Sequence, residues 1–231
     1  MIDTGIYNKD NKLYAILAKE VYEQYPNGIT FPPEYAQFTE NNLLQFLIRL
    51  ARYKFVSRMI KKTDNVLEIG SGSGLGSIFI GQHCKSVTGI EIKKTEVDEA
   101  STINKRSNVV FREEDFFKMK NKKEYNVIVA MDVIEHLTYE LGEKLVKKTR
   151  QHLTRNGFLI IGTPSIYSYE YQGPLSKASH VKCYDQQELI KLIETYYQRV
   201  IAFSMNDEVV HTGHPKMAWY YLILAFYPKV S

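Results

Sequence analysis

The chain has 231 residues, enough for one domain with a modest extension, and its 44% hydrophobic and 24% charged residues are the balance of an ordinary globular protein. That excludes a disordered or collagen-like chain, and the formal net charge of +4 suits anionic small molecules without being a nucleic-acid footprint. Cys84 and Cys183 give neither a disulfide framework nor metal-ligand spacing and read as two reduced thiols. No charged segment followed by an apolar run opens the chain, and the longest apolar run, 217–227, is shorter than the ~20 residues of a membrane-spanning helix. The expectation is a cytoplasmic protein with no membrane span.

In chain order, the first sixty residues carry the turn signals Pro26-Asn27-Gly28 and Pro32-Pro33. Leu43, Leu44, Leu47, Ile48, Ala51, Phe55 and Met59 then recur at spacings of three and four, which predicts a helix with Thr39 or Asn41 as its cap. Residues 1–60 therefore read as an N-terminal helical extension or lid, and 61–231 as one domain. From residue 65 the pattern changes. Short apolar runs at 66–69, 87–92, 109–111, 127–131 and 158–162 alternate with amphipathic stretches such as 139–153, the fifth run following the turn Arg155-Asn156-Gly157. Strands alternating with helices predict βαβ units. A helix at 186–197 precedes two further runs, 199–203 and 217–226. The second of these holds Trp219, Tyr220, Tyr221 and Phe226 and reads as a final antiparallel strand or a short buried helix. The fold class expected is α/β: a Rossmann-like, seven-stranded, mostly parallel sheet with helices on both faces and the N-terminal helical extension. The basic runs 118–123 and 144–150 read as solvated faces.

The first predicted strand ends in Glu68-Ile69-Gly70-Ser71-Gly72-Ser73-Gly74. Glycines after a strand and before a helix let the backbone approach a ligand closely. The G-x-G-x-x-G spacing of a dinucleotide loop is missing, and so is the Gly-Lys-Ser/Thr of a P-loop. Glu68 is a poor neighbour for a pyrophosphate and a good one for an ammonium group. S-adenosylmethionine carries an ammonium and no phosphate, so electrostatics favour it over NAD. Glu91 ends the second run, where a carboxylate takes ribose hydroxyls as donors. Asp115-Phe116 follows the third, offering an acceptor for an adenine amino group and a flat apolar surface for its ring.

Residues 65–165 resemble the core of class I S-adenosylmethionine-dependent methyltransferases. Glu-x-Gly-x-Gly-x-Gly stands at 68–74, the acidic strand end at Glu91, Asp-Phe at 115–116 and Asp-Val-Ile-Glu-His at 132–136. The last motif is similar to the branch that includes ubiquinone-biosynthesis O-methyltransferases, as is 179–185 (Ser-His-Val-Lys-Cys-Tyr-Asp) leading into Glu188-Leu189. The resemblance implies that Glu68, Gly70, Ser71, Gly72, Gly74, Glu91, Ile92, Asp115, Phe116 and Met131 hold S-adenosylmethionine. It also implies a metal-binding arrangement of Asp132, Glu135 and His136. With no further ligand identified, the expectation is no metal.

The sulfonium already activates the methyl group, so the protein must align the reactants and, for a hydroxyl acceptor, remove a proton. Imidazole suits that task. His136, after the fourth strand, leads and His180 follows, each with a structural role as its alternative. His211 and His214 form a third group, and His83 and His152 read as structural or solvated residues on helix faces. Tyr167, Tyr169 and Tyr171 cluster in the loop after the fifth strand, where acceptor pockets close, and suit a sugar or polar ring. The function expected is methyl transfer to an oxygen of a small polar acceptor such as a sugar or sugar-linked precursor. An aromatic or quinone-precursor O-methyltransferase and a small-molecule N-methyltransferase are the alternatives. A nucleic-acid acceptor is not expected, since Met131-Asp132-Val133-Ile134 stands where an Asn/Asp-Pro-Pro-Tyr/Phe motif would be.

Overall fold

A computed structural model describes residues 12–229, and the chain divides between Phe31 and Pro32 into two compact units. That division lies within the stretch 1–60 read as the N-terminal extension. In the first unit, helix α1 (Lys12–Gln24) carries Leu13, Leu17 and Val21 at four-residue intervals. The second unit opens with α2 (Pro33–Asn41), which has proline at its first position, where the missing N–H costs nothing. Helix α3 (Leu43–Met59) has the limits that the apolar spacing predicts, but its cap is Asn42, whose side chain accepts from Gln45 N at 3.0 Å, and not Thr39 or Asn41.

The sheet comprises β1 (Asn65–Ile69), β2 (Ser86–Glu91), β3 (Val109–Glu113), β4 (Tyr125–Met131), β5 (Leu153–Pro164), β6 (Tyr197–Asn206), β7 (Val209–His211) and β8 (Tyr220–Pro228). Its order is β3-β2-β1-β4-β5-β8-β6-β7. The first five strands are parallel and β8 is antiparallel to both β5 and β6, as the reading of 217–226 as a final antiparallel strand expects. Eight strands replace the expected seven. The additional one, β7, is a three-residue hairpin partner of β6, too short to give a periodic signal. The predicted turn at 155–157 lies inside β5, beside a register irregularity against β4.

Helices α4 (Leu75–Ile80), α5 (Lys94–Ile103), α6 (Tyr139–Thr149), α7 (Pro174–Ser179) and α8 (Gln186–Glu194) complete the unit. Thr138 caps α6 and Asp185 caps α8. Alternate residues of the central strands feed two cores. Val66, Val127, Val129 and Ile160 pack with Phe55 and Val56 of α3, while Leu67, Ile128, Ile161 and Ile223 pack with residues of α6 and α8. Both faces of β1 and β4 are thereby closed, as parallel strands require. Strand order reverses between β1 and β4, and that reversal opens a crevice at their C-terminal ends, where ligands of open α/β sheets bind.

Candidate functional site

One half of the crevice is a turn made of backbone. Gly70, Gly72 and Gly74 all have positive φ, at 69°, 50° and 87°. A Cβ on Gly70 would stand 2.6 Å from Val133 Cγ2, so the residue is dictated by both conformation and space. The amides of Gly70 and Ser71 donate to Ile90 O at 2.9 and 3.1 Å, fastening the turn to β2. Glu91 is drawn under the same turn. It accepts from Gly72 N at 3.3 Å, Ile92 N at 2.8 Å and Lys93 N at 3.1 Å. Gly70, Ser71 and Gly72 are thereby joined with Glu91 in one turn, and Gly74 closes it ahead of α4.

Two expected contacts take a different form. Glu68 is fully buried and accepts from the hydroxyls of Ser77 and Tyr53, while its Oε1 has no partner. Burial pushes its carboxyl up to about 7, and the two hydroxyl donors offset only part of that. Phe116 is not an adenine platform: it lies in the core, 4% exposed, with its ring 5.3 Å from that of His152. Asp115 turns the other way, accepting from Phe117 N at 2.9 Å and pairing with Lys118 at 3.4 Å. The apolar surface open beside the turn is Ile92, 67% exposed. Met131 is buried at the end of β4, with Tyr220 Oη 3.8 Å from its sulfur.

Arg52 was not anticipated. It lies on the buried face of α3, bonds Asp132 Oδ2 at 2.6 Å and stacks over the Tyr220 ring at 3.9 Å. The only sequence sign of it is a charge among the apolar positions Ala51, Phe55 and Val56. Burial would raise the Asp132 carboxyl, but the Arg52 guanidinium prevails and holds it below the usual range. Asp132 takes a left-handed backbone, φ 55°, which directs its side chain to Arg52. A small cleft that reaches Asp132 is lined by Tyr35, Arg49, Tyr53 and Gly76 as well.

The other half of the crevice is made of side chains from separate segments. Glu135 and His136 lie in the 3-10 turn Ile134–His136 after β4. Glu135 O accepts from Val181 N at 2.7 Å and Lys182 N at 3.0 Å. His136 Nδ1 lies 2.9 Å from Ser179 O, and a carbonyl only accepts, so Nδ1 donates and the neutral ring has its lone pair on Nε2. These bonds bring His180 alongside, its ring 5.1 Å from that of His136. Thr163 donates to Glu135 Oε2 at 3.1 Å, leaving the buried Oε1 unpartnered, as is His180 Nδ1. Burial first, and the Asp132 charge second, push the Glu135 carboxyl well above its usual range. Burial, then His136, hold His180 below the usual range.

Other expectations are placed as follows. Tyr167, Tyr169 and Tyr171 form the 3-10 turn Ile166–Tyr171, with Tyr167 donating to Asp185 at 2.9 Å and Tyr171 against Trp219. His211 bonds Asn206 at 2.9 Å. His152 is structural, as expected, but lies fully buried beside β5 and not on a helix face. Cys84 and Cys183 are free thiols.

A family model described as a methyltransferase domain matches residues 35–200. The chain belongs to this methyltransferase family. Its cofactor is accordingly S-adenosylmethionine. A protein of Mycoplasma mobile named an uncharacterized RNA methyltransferase is 31% identical over 168 residues, 69% of this chain and 44% of that one. A ubiquinone biosynthesis O-methyltransferase of Pelagibacter ubique is 25% identical over 167 residues, 69% of this methyltransferase and 65% of the relative. The methyltransferase thus spans less than two thirds of either relative. A Thermotoga maritima structure described as a SAM-dependent methyltransferase, possible histamine N-methyltransferase, shares the fold at a TM-score of 0.66. The two are 15% identical, and the match covers 90% of this chain and 98% of that one. The expected exclusion of nucleic acid finds no support, since one relative carries an RNA methyltransferase name. Among the described residues no helix is long and apolar enough to cross a membrane.

Proposed function

We propose that this methyltransferase moves the methyl group of S-adenosylmethionine to a hydroxyl oxygen of a small polar acceptor such as a sugar or sugar-linked precursor, bound over the ends of β4 and β5. The observation that carries the reading is the bond from Nδ1 of the exposed His136 ring to the Ser179 carbonyl, which leaves Nε2 as the nitrogen free to take a proton. In the reaction the hydroxyl proton passes to that nitrogen and the oxygen attacks the methyl carbon. The carbon–sulfur bond breaks with its electron pair on sulfur, leaving S-adenosylhomocysteine. His180 packs against His136 and holds it at the crevice. The cofactor side follows the motif residues, with Ile92 in the place first given to Phe116, and Arg49 and Arg52 as cations for the methionyl carboxylate.

The divalent ion that the resemblance implies for Asp132, Glu135 and His136 fits part of that set. The orphaned Glu135 Oε1 and the bare His136 Nε2 would hold it, in which case Nε2 would be a ligand and not the proton acceptor, whereas Asp132 is committed to Arg52. Such an ion would supply Lewis acidity at the acceptor oxygen.

The test is release of S-adenosylhomocysteine across a panel of sugars, nucleoside sugars, phenols and amines. A hydroxylated sugar as best acceptor supports the proposal, and turnover confined to amines overturns it. A second reading, an RNA ribose hydroxyl as acceptor, draws on the Mycoplasma mobile relative and would use the same groups. An RNA arm in the panel decides between them.

A further inference from the structure

We infer that the sheet face left bare between β3 and β4, together with the two basic runs beside it, is a docking surface for a strand of RNA that leads to the crevice. The choice of RNA rests on the ribose-hydroxyl reading given above; the surface itself rests on charge and shape.

The charge of the chain is not spread evenly. Runs 118–123 and 144–150 hold eight of its 30 Lys and Arg residues and none of its 26 Asp and Glu, so all the other residues together carry a net −4. Each run by itself reads as a solvated face. The fold joins them: Lys148 of α6 donates to Met119 O at 2.7 Å, and Lys144 Nζ lies 5.4 Å from the centre of the Phe117 ring. The apolar members of the two runs, Met119, Leu145 and Val146, are buried. What the joined surface shows to solvent is therefore charge. Lys120, Lys123 and Lys147 are exposed and make no hydrogen bond or ion pair among the described residues. The neighbouring acids are occupied. Asp115 pairs with Lys118 at 3.4 Å, Glu124 with Lys122 at 2.6 Å, and Glu143 accepts from Tyr196 Oη at 2.7 Å. Ion pairs with such exposed lysines contribute little and yield readily to a phosphate.

The bare face is the second observation. Residues 114–124 cross from β3 to β4 without a helix, from a bond on Glu91 O at the crevice end to bonds on His152 O at the other. Parallel strands need cover on both faces, and where cover is missing here the positions are polar. Asn65, Ser86, Thr88 and Arg112 line an open hollow of about 250 Å³ with Glu124 and Tyr125. Leu67 and Ile90, one alternation further along the same strands, are back in the core. Hydroxyls, an amide and an exposed guanidinium suit ribose hydroxyls and phosphate oxygens. The placement gives the strand its direction. The segment starts at Asp115, beside the turn that holds Glu91, and α6 starts at its cap Thr138, two residues after His136. The surface thus borders both halves of the crevice. An anionic membrane is the poorer fit, because an interfacial helix needs an apolar face to insert and neither run exposes a large apolar side chain.

The experiment follows a labelled single-stranded RNA of about 20 nucleotides by fluorescence anisotropy with the full chain, without cofactor, from about 50 to about 300 mM salt. Each phosphate contacted contributes about −0.7 to the slope of log affinity on log salt. The triple variant Lys120→Gln, Lys123→Gln, Lys147→Gln should therefore bind RNA at least ~10-fold more weakly at the lowest salt, with a slope shallower by about 2. A second triple variant, Lys54→Gln, Lys105→Gln, Lys191→Gln, removes the same charge elsewhere and should stay within about threefold of the native chain. The DNA strand of the same sequence should bind at least ~fivefold more weakly than RNA, and Ser86→Ala with Thr88→Val should narrow that gap. Melting curves establish that each variant is folded. Absence of salt-dependent RNA binding, equal losses in the two triple variants, DNA bound as tightly as RNA, or binding to phosphatidylglycerol vesicles that RNA does not displace overturns the inference. Release of S-adenosylhomocysteine with the RNA is measured separately. RNA bound but never methylated removes the ribose-hydroxyl reading and leaves the surface; RNA methylated equally by the native chain and the first triple variant, with equal affinity, removes the surface alone.

Discussion

The two halves of the crevice are built on different principles. The half proposed for the cofactor is a single turn, 68–74, joined by Glu91, and its shape is a matter of backbone: three left-handed glycines and amides bonded to β2. The half proposed for the acceptor is assembled from the turn after β4, a threonine of β5 and the segment around His180, and its shape is a matter of side chains. A ligand common to a whole family can be met by a fixed backbone, whereas acceptors that differ are met by groups on loops that can vary without disturbing the sheet.

The sharpest way to separate the halves is to damage one and watch the other. His136→Ala should lower turnover about 10³-fold, within the range of general acid–base catalysis, while calorimetry shows S-adenosylmethionine affinity unchanged. Parallel losses in both would mean that His136 supports the fold of the whole crevice, and the division would fail. The reciprocal probe is Glu68. A carboxyl whose pKa rises on folding costs stability as pH climbs from its unfolded value towards its folded one. The window here runs from about 4.5 to about 7. Without cofactor added, the protein should therefore lose at most roughly 3 kcal/mol of unfolding free energy across that window, from a buried carboxylate that forms no ion pair among the described residues. Glu68→Gln should flatten the profile in denaturant titrations from pH 5 to 8. Native and variant profiles that coincide would show that Glu68 is not the source.

How far each half could be read from sequence follows from the same contrast. The turn at 68–74 is legible because its residues adjoin, and five parallel strands are legible because each is a continuous apolar run. Phe116 was misplaced because adjacency to Asp115 does not tell which of two neighbours points inward. His180 could be named as a candidate, but its meeting with Glu135 rests on bonds from Ser179, Val181 and Lys182, which no periodicity encodes. Arg52 left one trace, a charge on the apolar face of α3, and its partner Asp132 stands 80 residues away. The three-residue β7 left none.

A smaller effect probes the backbone character of the cofactor half. Gly70→Ala places a side chain in a left-handed position costing roughly 1–2 kcal/mol and against Val133, so S-adenosylmethionine affinity should fall about 30-fold in calorimetry. Ser71→Ala changes no backbone and should leave affinity within about threefold. Equal losses in the two would mean that the turn works through its side chains after all.

The smallest expected effect bears on the acceptor half, at the Tyr171–Trp219 pair, whose rings lie 5.7 Å apart and tilted by 35°. Trp219 is half-exposed beside the 3-10 turn that holds Tyr167, Tyr169 and Tyr171, and a face of that kind suits the flat side of a sugar. Aromatic contacts are worth about 0.5–1.5 kcal/mol, so Trp219→Ala should raise the acceptor KM about three- to tenfold and leave kcat within twofold. Trp219→Phe should restore most of the loss, because a ring is retained. A drop in kcat with KM unchanged would point to a different role, since Ser165 N donates to Trp219 O at 2.9 Å and the residue also joins β8 to the loop after β5. That backbone bond survives either substitution. A difference between the alanine and phenylalanine variants therefore reports on the ring alone, and so on whether the acceptor half extends past His136 and His180 to this edge of the sheet.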